Sequence, residues 1–193
     1  NLINNLHTTF ARIEFLPPKE HIENLSKWEL KVDGTNKPDW LNMSTLREKL
    51  EALVSAHIIS DERKILLGGW WILIGNAKIN IVKNANIKIM SDSSSIVEMY
   101  GASQVEKMLG VSYIRSMYDS SYIGAMFDFS HVEAMHRSAH ISNMANSSKV
   151  SAMCGLSQIE TMFGSSCVEA AYDLGHVESM CGFNRIINDK RNK

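Results

Sequence analysis

The chain has 193 residues, of which 45% are apolar, and its formal net charge at pH 7 is −1. This near-neutral balance argues against a protein that binds nucleic acid through its charge, and equally against an acidic DNA mimic. No apolar run reaches the length of a membrane span and no signal peptide is visible, so we expect no membrane association. The three cysteines, an odd number, indicate reduced thiols and a cytoplasmic location.

Residues 1–68 predict a small α+β module. Apolar alternation predicts a strand over 10–16, Pro18 can begin a helix over 19–28, and Leu30 and Val32 mark a second strand. A second helix is expected over 45–57, with Thr45 and Glu48 as its capping box. We expect this module to cap the end of the structure that follows, because open sheet ends expose unpaired strand edges.

Residues 69–186 are assigned to a second module, in which a nine-residue repeat runs from about Ala85 to Ile186. The repeat follows a transition over 64–90, which contains an apolar strand predicted over 65–74. Each unit has a small residue, usually Ser, then a Val or Ile two residues later, a Met three residues after that, and a Gly or Asp two residues after the Met. A fixed short period of this kind is typical of a solenoid. The aliphatic column is Ile87, Ile96, Val105, Ile114, Ile123, Val132, Ile141, Val150, Ile159, Val168, Val177 and Ile186.

The spacing within the unit predicts parallel β-structure. Ser and the aliphatic residue are two apart, so they lie on the same face of a strand. Met has the wrong parity for a straight strand, which requires a bend before it, and Gly or Asp supplies the turn after it. The fold class is therefore mainly β: a parallel β-solenoid of nonapeptide repeats with an α+β N-terminal cap. A helical reading of the Met stripe is disfavoured by the recurring Gly, Asp and Ser.

The coil can contain two units, eighteen residues, or three units, twenty-seven residues. Alignment of Phe129, Leu156 and Phe183 favours three units, whereas filling the core without voids favours two. We predict two units per coil and five to six coils, with twenty-seven residues as the alternative. Residues 187–193 lose the pattern, with Asp189 at the Met position, and predict a charged tail that is either a polar cap or disordered.

The outward positions supply the candidate site. Five glutamates share one outward position, as either a solvated or a partner-facing stripe, and tyrosines and phenylalanines are candidates for stacks along the coil. The candidate partner-facing surface comprises Glu106, Glu133, Glu160, Glu169, Glu178, Tyr113 and Tyr122, and the further stack candidates are Tyr100, Tyr118, Tyr172, Phe127 and Phe163.

Catalytic and metal sites are not predicted. His131 and His140 fall in successive units and therefore on different sides of the coil, while His136 occupies the aromatic position, so convergence on one metal is not expected. The serines lie in an inward column with no activating His and Asp pattern. We predict no catalytic residue, no metal and no cofactor.

The entry sequence Gly75-Asn-Ala-Lys-Ile79, followed by Ser-x-Val-x-x-Met units, resembles a group of uncharacterised bacterial and phage-encoded β-solenoid repeat proteins. Their short front modules often contain a Pro-x-Trp element, similar to Pro38-Asp39-Trp40 here. The resemblance implies the fold and a mobile-element origin, and hence the cytoplasm of the host cell, but no activity. The small-x-aliphatic core is also similar to that of hexapeptide acyltransferases, whose period is six rather than nine.

The functional prediction is a non-enzymatic protein that presents a rigid β-solenoid surface to a macromolecular partner. Rigid surfaces lose little entropy on docking, which suits an inhibitor or adaptor. The sharper form, which rests on the resemblance, is a phage or mobile-element inhibitor of a host protein, for instance a defence component. The alternatives are a structural or assembly protein that forms homo-oligomers and, less favoured, an acyltransferase of the hexapeptide type.

Overall fold

The computed structural model describes residues 12–18, 21–33 and 40–191. The chain divides into two compact units, Asn1–His57 and Ile58–Lys193.

The first unit is a small α+β structure. Strand β1 (Arg12–Leu16) pairs antiparallel with β2 (Glu29–Asp33), with a 3₁₀ turn at Leu25–Lys27 between them, and α1 spans Met43–Ser55. Trp28 is buried and its ring packs 5.1 Å from that of Phe15, while its Nε1 donates to the Ile22 carbonyl oxygen at 2.9 Å. Arg47 of α1 donates to the Trp28 carbonyl oxygen at 2.9 Å, which ties the helix to this cluster.

Both predicted strands of this unit are confirmed, but the helices differ from their predictions. The predicted helix over 19–28 is reduced to the 3₁₀ turn within the described residues, and His21 has a φ of +60°, which is incompatible with a helix. The second helix begins at Met43 because Asn42, rather than Thr45, is its N-cap. The Asn42 Oδ1 accepts from the backbone N–H groups of Ser44 (3.1 Å) and Thr45 (3.2 Å). Of the predicted strand over 10–16, Phe10 and Ala11 lie outside the described residues, as do Pro38 and Asp39 of the Pro-x-Trp element.

The second unit is a β-solenoid of about seven coils, more than the five to six expected from the regular repeat because its strands begin at Ile58. Its strands in chain order are β3 (Ile58–Ile59), β4 (Glu62–Leu67), β5 (Trp70–Leu73), β6 (Lys78–Lys83), β7 (Asn86–Met90), β8 (Ser95–Tyr100), β9 (Gln104–Met108), β10 (Tyr113–Met117), β11 (Tyr122–Met126), β12 (His131–Met135), β13 (His140–Met144), β14 (Lys149–Met153), β15 (Gln158–Gly164), β16 (Cys167–Asp173), β17 (His176–Gly182) and β18 (Arg185–Arg191). The odd-numbered strands form one parallel sheet, here the odd sheet, and the even-numbered strands form the other, the even sheet.

The register confirms a coil of eighteen residues. In the even sheet Ile114 pairs with Ile96 on one side and with Val132 on the other, and Met117 pairs with Met99 and Met135. Each nonapeptide therefore forms one side of a coil, and successive nonapeptides alternate between the two sheets. The N-terminal coils are shorter, as Arg63 pairs with Ile79 and Ile79 with Ile96. The strand predicted over 65–74 is interrupted by Gly68 and Gly69, both of which have positive φ.

The core consists of the three predicted inward columns. The aliphatic and Met positions between Ile79 and Val168 have no exposed surface, and the serines of the Ser position are equally buried. The hydroxyls of seven of these serines have no hydrogen-bond partner in the described part of the chain: Ser94, Ser112, Ser121, Ser130, Ser148, Ser157 and Ser166. Ser103 differs, because its Oγ donates to the Tyr100 carbonyl oxygen at 2.6 Å.

A bend within each strand allows both Val and Met to point inward. Between β10 and β12 the residues on either side of Arg115 are paired, whereas Arg115 itself is not. The strand continues through Met117, so the expected corner lies inside the strand rather than between strand and Met. The turn that follows uses a residue of positive φ in every repeat between Gly101 and Gly182, and this turn prediction is confirmed.

The predicted charged tail is mostly a strand, since β18 extends to Arg191. Asp189 occupies the Met position above Ala171, and it accepts from Arg191 Nε (2.7 Å) and Nη2 (2.6 Å). The described part of the tail, residues 187–191, therefore continues the last strand of the even sheet.

Candidate partner-facing surface

The two-unit coil places the predicted surface residues on two opposite sheets. Tyr113, Glu133 and Glu169 lie on the even sheet, whereas Tyr122 and the remaining glutamates, Glu106, Glu160 and Glu178, lie on the odd sheet. The predicted single acidic stripe is therefore split. On the odd sheet it is interrupted by Gly124, where an added Cβ atom would lie 2.7 Å from the Glu106 carbonyl oxygen.

A diagonal ladder of side-chain contacts runs along both sheets. In each contact, one side chain comes from the residue just before the aliphatic residue of its strand. Its partner is the residue just after the aliphatic residue of the neighbouring strand in the next coil, twenty residues further along the chain. The pairs on the even sheet are Tyr113 with Glu133, His131 with Ser151 (2.9 Å) and Lys149 with Glu169 (2.6 Å); those on the odd sheet are Tyr122 with Ser142 (2.9 Å), His140 with Glu160 (3.0 Å) and Gln158 with Glu178.

Every predicted surface glutamate is therefore engaged by a neighbouring coil, since Glu106 also pairs with Lys88. Ion pairs at such exposed positions contribute little to stability. Their effect here is to limit the conformations of long side chains, so that the outward rows are ordered before any partner binds.

The electrostatics of the even sheet follow from this ladder. Burial, together with the hydrogen bond to Glu133, raises the pKa of Tyr113 to about 12, so its hydroxyl remains a donor. The hydrogen bonds from Lys149 and Ser151 lower the pKa of Glu169. Burial and the nearby Lys149 lower the pKa of His131, which is therefore neutral at pH 7.

The turns that follow the even sheet carry an aromatic column. The rings of Tyr100, Tyr118 and His136 are stacked nearly parallel, with centroids 4.9 Å apart at both steps. Tyr113 and Tyr122 pack edge-on against His131 and His140 instead. The stacking prediction thus holds for Tyr100 and Tyr118, which His136 extends, and not for the two tyrosines of the sheet faces.

The three histidines that could suggest a metal centre are separated. His131 lies on the even sheet, His140 on the odd sheet and His136 in the aromatic column. Among residues 12–18, 21–33 and 40–191, no group of three His, Cys, Asp or Glu side chains is arranged to hold a metal ion. None of the helices in these ranges is long and apolar enough to cross a membrane.

The structure shows a second kind of surface that the repeat pattern did not predict, namely apolar side chains at the turns. Leu109 and Val111 follow β9, and Phe127 and Phe129 follow β11, so these four residues form a patch on one edge of the solenoid, here called the odd-edge patch. Val111 and Phe129 are 56% and 69% exposed. Their turns stack directly, since the Phe129 N–H donates to the Gly110 carbonyl oxygen at 3.0 Å.

The residues Phe129, Leu156 and Phe183, which had supported a twenty-seven-residue coil, belong to different edges. Phe129 and Phe183 follow odd-sheet strands, whereas Leu156 follows β14 and is stacked near Leu174, both being more than half exposed. In the sequence, the exposed apolar turns could have been found from the residue after the Gly or Asp of each unit, which is Ser in some units and apolar in others.

Comparison of the chain with protein-family models, with curated proteins and with solved structures finds no match to any of them. The residues and their geometry are therefore the basis for the functional assignment.

Proposed function

We propose that the protein is a non-enzymatic binding protein whose rigid solenoid presents a surface to a protein partner. The observation that carries the proposal is the odd-edge patch. It places an exposed aliphatic and an exposed aromatic side chain, Val111 and Phe129, in two successive turns of one edge, beside an odd sheet on which the outward residues Tyr122 and Ser142 are hydrogen-bonded to each other.

Apolar and aromatic residues of this kind supply most of the affinity of protein interfaces. Phe129 has few rotatable bonds and is held on a hydrogen-bonded turn, so docking restricts little additional freedom. The paired glutamates of the odd sheet contribute selectivity by the pattern of charge that they present beside the patch.

The sharper proposal is an inhibitor that binds a host protein in the host cytoplasm and is encoded by a phage or other mobile element. The resemblance of the repeat supports this form, and the partner class is a folded protein with an apolar cleft able to accept Phe129. Blocking such a cleft requires shape and rigidity rather than catalytic groups.

The experiment compares three tagged proteins in affinity purification from host lysate followed by mass spectrometry: the unaltered chain, Val111→Ser/Phe129→Ser, and Ser120→Asp/Ser138→Asp as a control on the opposite edge. We expect a protein captured by the unaltered chain and the control but lost with the patch variant, and a purified complex that reproduces this difference in calorimetry. Equal capture by all three proteins would contradict the assignment of the patch.

A further inference from the structure

The last coil, formed by β17 and β18, differs from the coils that precede it. Met180 is 42% exposed, whereas every other Met of the repeat column is completely buried, and Val177 and Ile186 are only partly covered. In the described residues no strand pairs with the outer edges of β17 and β18, which end their sheets. This end of the solenoid therefore exposes part of the apolar core between two strand edges whose backbone N–H and C=O groups have no partner strand in the described residues.

We infer that this end of the solenoid binds the same end of a second copy of the chain. In the resulting twofold dimer, β17 of each copy pairs antiparallel with β18 of the other. The inference is independent of the proposed function, because it involves neither the odd-edge patch nor a second protein species.

The geometry of the coil dictates this pairing. β17 and β18 run in opposite directions, because only residues 183–184 connect them. A twofold axis parallel to the strands, placed at the open end of the core, carries β17 of the second copy to β18 of the first without changing its direction. Residues that face each other across one core then become neighbours across the interface.

The inward pattern fixes the register. With Met180 beside the second copy's Ile186, Val177 falls beside the second copy's Asp189, so inward residues meet inward residues. A shift by one residue would place them against outward side chains. The Asp189 carboxylate is already bound by Arg191, and hence the interface buries no unpaired charge.

Charge favours pairing of β17 with β18 over pairing of like strands. β18 carries Arg185, Lys190 and Arg191 against one carboxylate, whereas the charged residue of β17 is Glu178. Antiparallel pairing of β18 with itself in the inward register would place Arg185 beside the second copy's Lys190, and like charges directly opposite one another destabilise a sheet.

The surface area buried between the two copies predicts a reversible dimer. Seven-residue strands are about 23 Å long, and two sheets about 10 Å apart with their side chains are about 20 Å thick, which gives about 450 Å² per copy. The total of about 900 Å² lies below the roughly 1,200–2,000 Å² of stable interfaces, so we expect dissociation in the micromolar range.

Sedimentation velocity of the unaltered chain from low micromolar to several hundred micromolar concentration tests the dimer. We expect a monomer–dimer equilibrium that Met180→Lys shifts to monomer, because a lysine at this position is accommodated at a free end but not in an interface. Thr161→Lys, on the outward face of the preceding coil, is the matched control and leaves the equilibrium unchanged. A monomer at every concentration would overturn the inference.

Disulfide cross-linking tests the register. Glu178→Cys with Asn188→Cys is placed in a background of Cys154→Ser, Cys167→Ser and Cys181→Ser. Within one chain the two sites lie on opposite sheets, beyond disulfide reach, whereas in the dimer they face each other at about 5 Å. We expect a covalent dimer containing a 178–188 cross-linked peptide. Cross-linking of a lone Ser179→Cys instead would indicate pairing of β17 with β17 and overturn the proposed arrangement.

Discussion

Replacing Ser121 with Ala removes a buried hydroxyl that has no hydrogen-bond partner in the described residues. A hydroxyl buried in this way costs about 1–3 kcal/mol relative to water in protein mutational data. The side chain of Ala fits the site, because Ala139 occupies the same slot in the next coil of this column and is equally buried. We therefore expect Ser121→Ala to raise the free energy of unfolding by about 1 kcal/mol.

Ser103→Ala is the matched control, one coil earlier in the same column. The hydroxyl of Ser103 donates to the Tyr100 carbonyl oxygen at 2.6 Å, and losing such a bond costs about 0.5–1.5 kcal/mol. The two substitutions delete the same atom and should act in opposite directions. In urea unfolding followed by circular dichroism, Ser121→Ala should raise the midpoint and Ser103→Ala should lower it. Equal destabilisation by both would refute the argument, because it would mean that the Ser121 hydroxyl is satisfied in the folded protein.

Three further predictions test the assignment of faces, the electrostatics of the even sheet and the length of the coil. Met126→Asp buries a carboxylate without a partner and should abolish the soluble folded protein, whereas Glu133→Ala on the even face should change the free energy of unfolding by less than about 0.5 kcal/mol; similar thermal melts for the two variants would contradict the assignment of faces. Because the folded pKa of His131 lies below 6.5, the unfolded chain binds the proton more tightly, so stability should fall as pH drops below about 6.5. Between pH 7.5 and pH 5.5, His131→Gln should lose less stability in urea melts than the unaltered chain. An identical loss would show that His131 does not cause the pH dependence. Cys154 follows an even-sheet strand and Cys181 lies on the odd sheet, so native oxidation of Cys167→Ser should give no intramolecular disulfide in a peptide map; its recovery in high yield would conflict with the eighteen-residue coil.

The solenoid was predictable from the sequence because its constraint recurs in every unit. A Val three residues before a Met, followed by Gly or Asp, specifies a bend and a turn each time, and the need to fill the core selected two units per coil. The N-terminal unit has no such redundancy. The helix expected after Pro18 depended on a single periodic pattern, and Asn42 replaced Thr45 as N-cap although both are good capping residues.

The candidate surface was harder to predict, because outward positions are defined by neighbours that are distant in sequence. Glu133 contacts Tyr113 and Glu160 contacts His140, in each case twenty residues away, and this distance becomes apparent once the coil length is known. The aromatic column was partly visible from its spacing, whereas the odd-edge patch lay in a position that shows no constant residue type.

Because successive nonapeptides alternate between the two sheets, adding or removing one nonapeptide affects the core and the surface of the solenoid differently. The interior repeats every nine residues, so the gain or loss of one nonapeptide within the regular part of the solenoid leaves aliphatic, Met and Ser columns continuous. Outward residues are neighbours on one sheet when they are eighteen residues apart, so the gain or loss of one nonapeptide transfers all downstream outward side chains to the opposite sheet. Gain or loss of a pair of nonapeptides changes only the length. A lineage of such proteins can therefore move the downstream outward residues from one face to the other in one step, while the core columns stay continuous.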